Sequence, residues 1–323
     1  MRRPLVIWSV AFVLLFAAFG ITVVALNGTI YSAGGFVGSY LQALARQDAT
    51  AALATPGVTV AKGARTELLS SDALGAISDI HQVSDDADTD GIHTVTYEYT
   101  LGGEVGSSEF RVRGTDSFLG LFSAWSFDES PLATIKVSVL HDTRFRVNGV
   151  DLTSPAKANK TASYTVFTPG LYSVDHKSTY LTAEAVAATV TDVGSATPVR
   201  VNVQANSTFE KQVSKELRSY LAACTKQDVL LPTGCPFGKS FDNRVDSTPE
   251  WSMADYPSVS IVPGSSVGEW LMPQTDAAAH LKVKIQSLFD GTVSTFNKDV
   301  PFTVAYDITI APNNDLSIVA QYD

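Results

Sequence analysis

Ser-Tyr-Leu-Gln-Ala-Leu-Ala-Arg-Gln-Asp at residues 39–48 returns at 219–228 as Ser-Tyr-Leu-Ala-Ala-Cys-Thr-Lys-Gln-Asp, with six positions identical and Arg46 matched by Lys226. Each copy lies on an apolar helical stripe and leads into a strand-rich stretch about one domain long. The chain therefore reads as one α+β module used twice with an insert between. Repetition of this kind defines an architecture and leaves the chemistry open.

Leu5 to Leu26 runs without a charged residue, behind Arg2 and Arg3, and no further Lys or Arg follows until Arg46. As a helix rising 1.5 Å per residue, a run of this length matches a hydrocarbon core of about 30 Å. The positive-inside bias then orients it. The expectation is a cytoplasmic stub over 1–4 and an uncleaved transmembrane signal-anchor over 5–26 in the lipid bilayer. The chain would be a single-pass protein of a bacterial plasma membrane, its N-terminus cytoplasmic and its bulk extracytoplasmic. A cleavable signal peptide is the rival, but its apolar region is shorter. The formal net charge of −10 makes a surface that repels phosphates and argues against nucleic acid as a partner.

Cys224 and Cys235 enclose a short loop containing Pro232 and Gly234. Outside the cytoplasm such a pair reads as a structural disulfide. A redox pair wants Cys-x-x-Cys spacing, and a zinc site wants further Cys or His ligands.

Along the chain, Phe36, Val37, Tyr40, Leu41, Leu44 and Ala45 make one helical face. A short second helix follows through Leu53, and Thr66 to Ile77 reads as a third. The period then changes to two from Ile92 to Tyr99, with further strands at Phe110–Arg113 and Leu121–Phe127. Residues 131–207 read as a small all-β module in which Asn148-Gly149 marks a type I′ hairpin. From 208 the second copy begins. Its stripe is Val213, Leu217, Tyr220, Leu221 and Cys224, and strands are expected at 258–262, 279–289, 300–310 and 316–321.

These patterns carry a resemblance. A helix of the type Ser-Tyr-Leu-x-Ala followed by a curved antiparallel sheet resembles the NTF2-like (cystatin-like) α+β cone. Leu231-Pro-Thr-Gly-Cys-Pro-Phe-Gly238 looks like the disulfide-bearing turn of such domains in membrane-anchored actinobacterial proteins. Phe145-Arg-Val-Asn-Gly149 and Phe167-Thr-Pro-Gly-Leu-Tyr-Ser-Val174 are similar to PEGA-type β-domains. Together they resemble TcaA-like envelope proteins, although that family's cytoplasmic zinc ribbon is missing. The resemblance implies an α+β fold: an N-terminal transmembrane helix, an NTF2-like domain over 28–130, a PEGA-like β domain over 131–207, and a second NTF2-like domain over 208–323.

The catalytic motifs fail on context. Gly264-Ser-Ser266-Val-Gly268 has the spacing of a nucleophile elbow, but no helix follows it, and nothing brings Asp276 and His280 to Ser266. Ser154-Pro-Ala-Lys157 lacks its Lys-Thr-Gly companion, and Gly238-Lys-Ser240 lacks the first glycine of a P-loop. Asp86-Ala-Asp88-Thr-Asp90-Gly91 opens like a calcium loop, yet its twelfth position is Tyr97 and not a glutamate. An acidic hairpin turn accounts for it as well. No catalytic residue and no cofactor is assigned. Tyr40, Tyr97, Trp125, Tyr220 and Trp270 are the candidates to line a pocket in the cones, or else to fill the cores. The expected function is a non-enzymatic binding or scaffold protein of a bacterial cell envelope, contacting wall polymer or another membrane protein. The alternative is an enzyme using an acid/base pair in a cone pocket.

Overall fold

The computed structural model describes residues 2–118, 121–311 and 313–321. The protein is mostly β, with 47% of residues in strands and 18% in helices. This corrects the expected α+β class with two NTF2-like domains. The strands are long and numerous because β-branched and aromatic residues recur every second position, while only four α-helices stand among the described residues.

The expected membrane anchor is corrected as well. Residues Arg2–Asn27 form a helix, α1, but among the described residues no helix is long and apolar enough to cross a membrane. The single-pass placement in a plasma membrane falls with it.

The chain divides into two compact units: residues 1–139, 144–175 and 185–201 form the first, and 140–143, 176–184 and 202–323 the second. In the first, α2 (Ala33–Ala45) starts at Ser32, whose hydroxyl accepts the Gly35 N–H, and α3 (Ala49–Leu53) starts at Asp48, whose carboxylate accepts the Ala51 N–H. Both are ordinary side-chain caps. The helices pack on an antiparallel meander of β1 (Ile77–Ala87), β2 (Ile92–Leu101), β3 (Glu104–Phe118) and β4 (Phe122–Phe127), in that spatial order. Val95, Tyr97, Tyr99 and Leu101 of β2 face inward.

Gly38 permits the close approach of helix to sheet: a Cβ there would lie 2.7 Å from the Tyr97 hydroxyl oxygen. That hydroxyl donates to Gly34 O at 2.9 Å.

The expected helix over Thr66–Ile77 is not formed. One 3₁₀ turn, Ser71–Ala73, stands there, and the chain becomes extended at Leu74. Its backbone is committed elsewhere. Thr165 N–H donates to Arg65 O, the Ser71 hydroxyl accepts the Ala49 N–H, and a Cβ on Gly75 would meet Leu171 O at 2.5 Å.

Between α3 and α4 (Ser207–Cys224) in sequence, β5 (Leu132–Leu140) lies between β8 (Thr161–Phe167) and β11 (Ala196–Asn202). A second group runs β10 (Leu181–Val190), β9 (Gly170–Lys177), β6 (Arg144–Val147) and β7 (Val150–Thr153). Asn148 and Gly149, both with positive φ, turn the β6–β7 hairpin as expected. Leu132 and Phe167 belong to the same apolar cluster as α2 and the meander.

In the second unit, β12 (Gln204–Ala205) pairs with the start of β10. Asn206 then caps α4 (Ser207–Cys224). The sheet runs β13 (Arg244–Val245), β16 (Glu269–Gln286), β17 (Val293–Ile310) and β18 (Leu316–Ala320). In addition, β14 (Glu250–Asp255) and β15 (Val262–Pro263) pair with β16. The strands expected at 279–289 and 300–310 are thus parts of two 18-residue strands. The strand expected at 258–262 shrinks to a two-residue bridge.

Candidate binding groove

The two copies of the repeated decapeptide place the same tyrosine differently. Tyr40 on α2 is wholly buried, its ring set edge-on to Phe127 at 5.2 Å and to Phe110 at 6.3 Å. Its hydroxyl lies 3.0 Å from both Pro131 O and Thr168 O. Burial holds this phenol well above its ordinary pKa, with the nearby Tyr172 adding to the shift. It is a neutral donor built into a core.

Tyr220 on α4 is only partly covered, and its hydroxyl donates to Gly234 O. It stands in a groove of about 820 Å³ that runs between α4 and the outer strand β18. The helix side is made by Val213, Glu216, Leu217 and Tyr220, and the strand side by Leu316, Ile318 and Ala320. A smaller recess of about 390 Å³ shares Tyr220, Tyr306 and Ala320 with it and reaches Cys235 and Pro236.

The far side of Tyr220 is fixed by the Cys224–Cys235 disulfide, with Cα atoms 5.8 Å apart. Gln227 braces the same loop: its amide accepts the Thr233 N–H at 2.8 Å and donates to Thr233 O at 3.1 Å. The matching Gln47 of the first copy donates to Leu74 O at 3.0 Å.

The remaining candidates are dispersed. Tyr97 is nearly buried and braces α2. Trp125 is half-buried and donates its indole N–H to Tyr31 O at 2.8 Å. It lines a separate depression of about 570 Å³ with Ile30, Phe36 and Pro56. Trp270 is wholly buried against Phe209 and His141, and its indole N–H has no hydrogen-bond partner among the described residues. The groove therefore receives Tyr220 alone of the five aromatic candidates.

The acidic turn is satisfied internally. Asp88 accepts the N–H groups of Asp90 and Ile92, while Asp85 pairs with His93 and Asp86 lies opposite Thr94 in the β1–β2 ladder. Among the described residues no group of three or more His, Cys, Asp or Glu is placed to hold a metal ion.

Ser266 sits in the β15–β16 hairpin, where the Glu269 carboxylate accepts its N–H at 3.0 Å. His280 is engaged across the β16–β17 ladder with Asp299 and Asn297, and Asp276 lies opposite Thr303. Ser154 accepts the Ala156 N–H within its own loop.

Sequence reasoning passed over Glu216, Asp315 and the inward residues of β18. The available signal was a five-residue strand, Leu-Ser-Ile-Val-Ala, with neither charge nor proline. Comparison with family models, with curated proteins and with solved structures finds no match to this chain.

Proposed function

We propose that the chain is a non-enzymatic binding or scaffold protein and that the groove between α4 and β18 is its contact surface. One observation carries this reading: a groove of about 820 Å³ opens where aliphatic side chains, tyrosines and an outer strand meet. Among the described lining residues the only carboxylates are Glu216 and Asp315. Each is already hydrogen-bonded, Glu216 by Gln212 and Asp315 by Asn313. A lining of this composition suits retention of a chain-like partner better than proton transfer, which needs an acid and a base converging on one point.

The test offers two materials to immobilised full-length protein: insoluble cell-wall sacculi and phage displaying random dodecapeptides. Wild type and Ala320→Phe are compared, the new ring filling the groove floor. Saturable retention by wild type that Ala320→Phe abolishes supports the reading. Equal retention by both moves the contact elsewhere and defeats it. Chemical conversion of a retained ligand turns the assignment to the enzyme alternative.

A further inference from the structure

The groove and the outer edge of β18 are one feature. Gln321 N–H donates to Ala305 O, and Ala311 N–H donates to Asp315 O. Residues Leu316 to Ala320 pair with Ile310 to Tyr306 in continuous register. In an antiparallel pair the directly opposed residues alternate between exchanging hydrogen bonds and turning their amides away. The odd-numbered residues of β18 therefore bond to β17. Leu316, Ile318 and Ala320 turn their N–H and C=O groups to the open side. These same three residues point their side chains into the groove, whereas Ser317 and Val319 lie on the opposite, exposed face.

Natural edge strands are guarded by lysine, proline, bulges or a covering element, because unpaired amides template further pairing. β18 is the last strand of its sheet. Its ladder with β17 is free of register shifts, and its five residues include no Lys and no Pro. None of these sequence guards is present.

We infer that this edge accepts an extended peptide by antiparallel strand addition, with alternate side chains entering the groove beneath α4 and one of them basic. The inference rests on the groove reading above. Residues directly opposed in such a pair place their side chains on the same face. Each peptide residue that bonds to Leu316, Ile318 or Ala320 thus also projects into the groove. The ladder supplies affinity and the groove supplies selection. The basic residue follows from charge: Glu216 and Asp315 line the groove, and no Lys, Arg or His does so among the described lining residues. A second copy of this chain fits less well, because pairing β18 with β18 brings another Glu216 and Asp315 to the same seam.

The probe is a fluorescein-labelled nonapeptide, Thr-Val-Thr-Val-Thr-Lys-Thr-Val-Thr, titrated into the unmodified full-length protein by anisotropy. Two N-methylated versions accompany it, one blocking the amides of the Val and Lys residues and one blocking those of the threonines. Strand addition predicts that the first loses affinity about tenfold or more while the second retains it, since only one alternate set faces the ladder. Amide exchange at Leu316, Ile318 and Ala320 slows on binding, and replacing the lysine by glutamate weakens the complex.

Equal sensitivity to both methylation patterns overturns strand addition. If Ala320→Phe still abolishes retention in that case, the groove reading stands. Absence of binding by the nonapeptide, or formation of a dimer at the β18 edge in sedimentation velocity, also overturns the inference. Loss of every Ala320-sensitive interaction overturns both proposals together.

Discussion

Seen side by side, the helix faces of the two repeats differ little, and what lies across from them differs a great deal. Ala33, Val37 and Tyr40 in the first copy correspond by alignment to Val213, Leu217 and Tyr220 in the second. In the first, the fourth strand of the meander brings Phe127 against Phe36 at 5.0 Å and against Tyr40. Pro131 and Thr168 then supply acceptors for the buried hydroxyl. In the second, the outermost strand offers Leu316, Ile318 and Ala320, and the groove stays open. The helices also diverge where contact is closest: Gly38, which admits Tyr97, is Arg218 in the second copy, and Phe36 is Glu216. A duplicated helix thus serves as a core element in one unit and as one wall of a groove in the other. The choice is made by residues on the partner strand together with these two helix positions.

The largest test of this contrast is Phe127→Ala. Removing the ring that closes the first copy should destabilise the first unit by about 3–5 kcal/mol, measured by amide exchange in α2. Opening of a dye-binding cavity should accompany it. A loss under 1 kcal/mol would mean that Phe127 does not close this core.

Next comes the disulfide, which has no counterpart at Leu44. Replacing Cys224 and Cys235 together by Ser should lower the stability of the second unit by about 2–3 kcal/mol, following loop-closure entropy. Protection in α4 should fall while α2 is unaffected. Equal losses in both would break the contrast.

The smallest effect is a pH dependence. His280 faces Asp299 Oδ1 at 2.6 Å through Nδ1 and Asn297 Oδ1 at 3.0 Å through Nε2. Those acceptors, Asp299 foremost, raise its pKa above the ordinary imidazole value. His81 in the first unit is raised too, first by Asp79 O and then by Glu98. A raised folded-state pKa gives stabilisation that is complete below the unfolded value of about 6.5 and disappears as pH rises through the folded value. Protection factors near both histidines, in which the intrinsic base-catalysed rise of exchange with pH is divided out, should therefore fall on going from mildly acidic to mildly alkaline solution. His280→Gln should remove that dependence in the β16–β17 ladder alone. A flat profile for the wild type would discount both pairs.

Local chemistry was the legible part of the sequence. Asn148-Gly149 turns a hairpin because both residues accept positive φ, and Asp48 caps a helix because its carboxylate reaches an amide three residues on. The repeat itself was plain, as was the apolar stripe of α4. The strand Ile77–Ala87 was not. It is largely exposed, and its Ser, Asp, His and Gln residues carry little of the apolar alternation by which strands are read. The segment before it looked helical by spacing, but its donors and acceptors are claimed by chain far away in sequence. Nor was the fate of Tyr40 and Tyr220 visible, because identical decapeptide positions meet Phe127 in one case and Ala320 in the other. The groove depends on that distant pairing and on the register of β18. The short apolar strand was readable, and its open edge was not.

The hydroxyl of Tyr40 has a further consequence, one for the order of events during synthesis. Its two acceptors lie 91 and 128 residues downstream. A nascent chain that has emerged only as far as β4 contains α2 and the whole meander, yet it holds a phenol with no carbonyl to receive its proton and a core without Leu132 and Phe167. An unsatisfied buried donor costs about 1–3 kcal/mol, and contacts of such long sequence separation form late. The first unit to leave the ribosome should therefore stay loose until residue 168 has followed. The long β16–β17 ribbon joins neighbours across a short turn and can zip as soon as it appears.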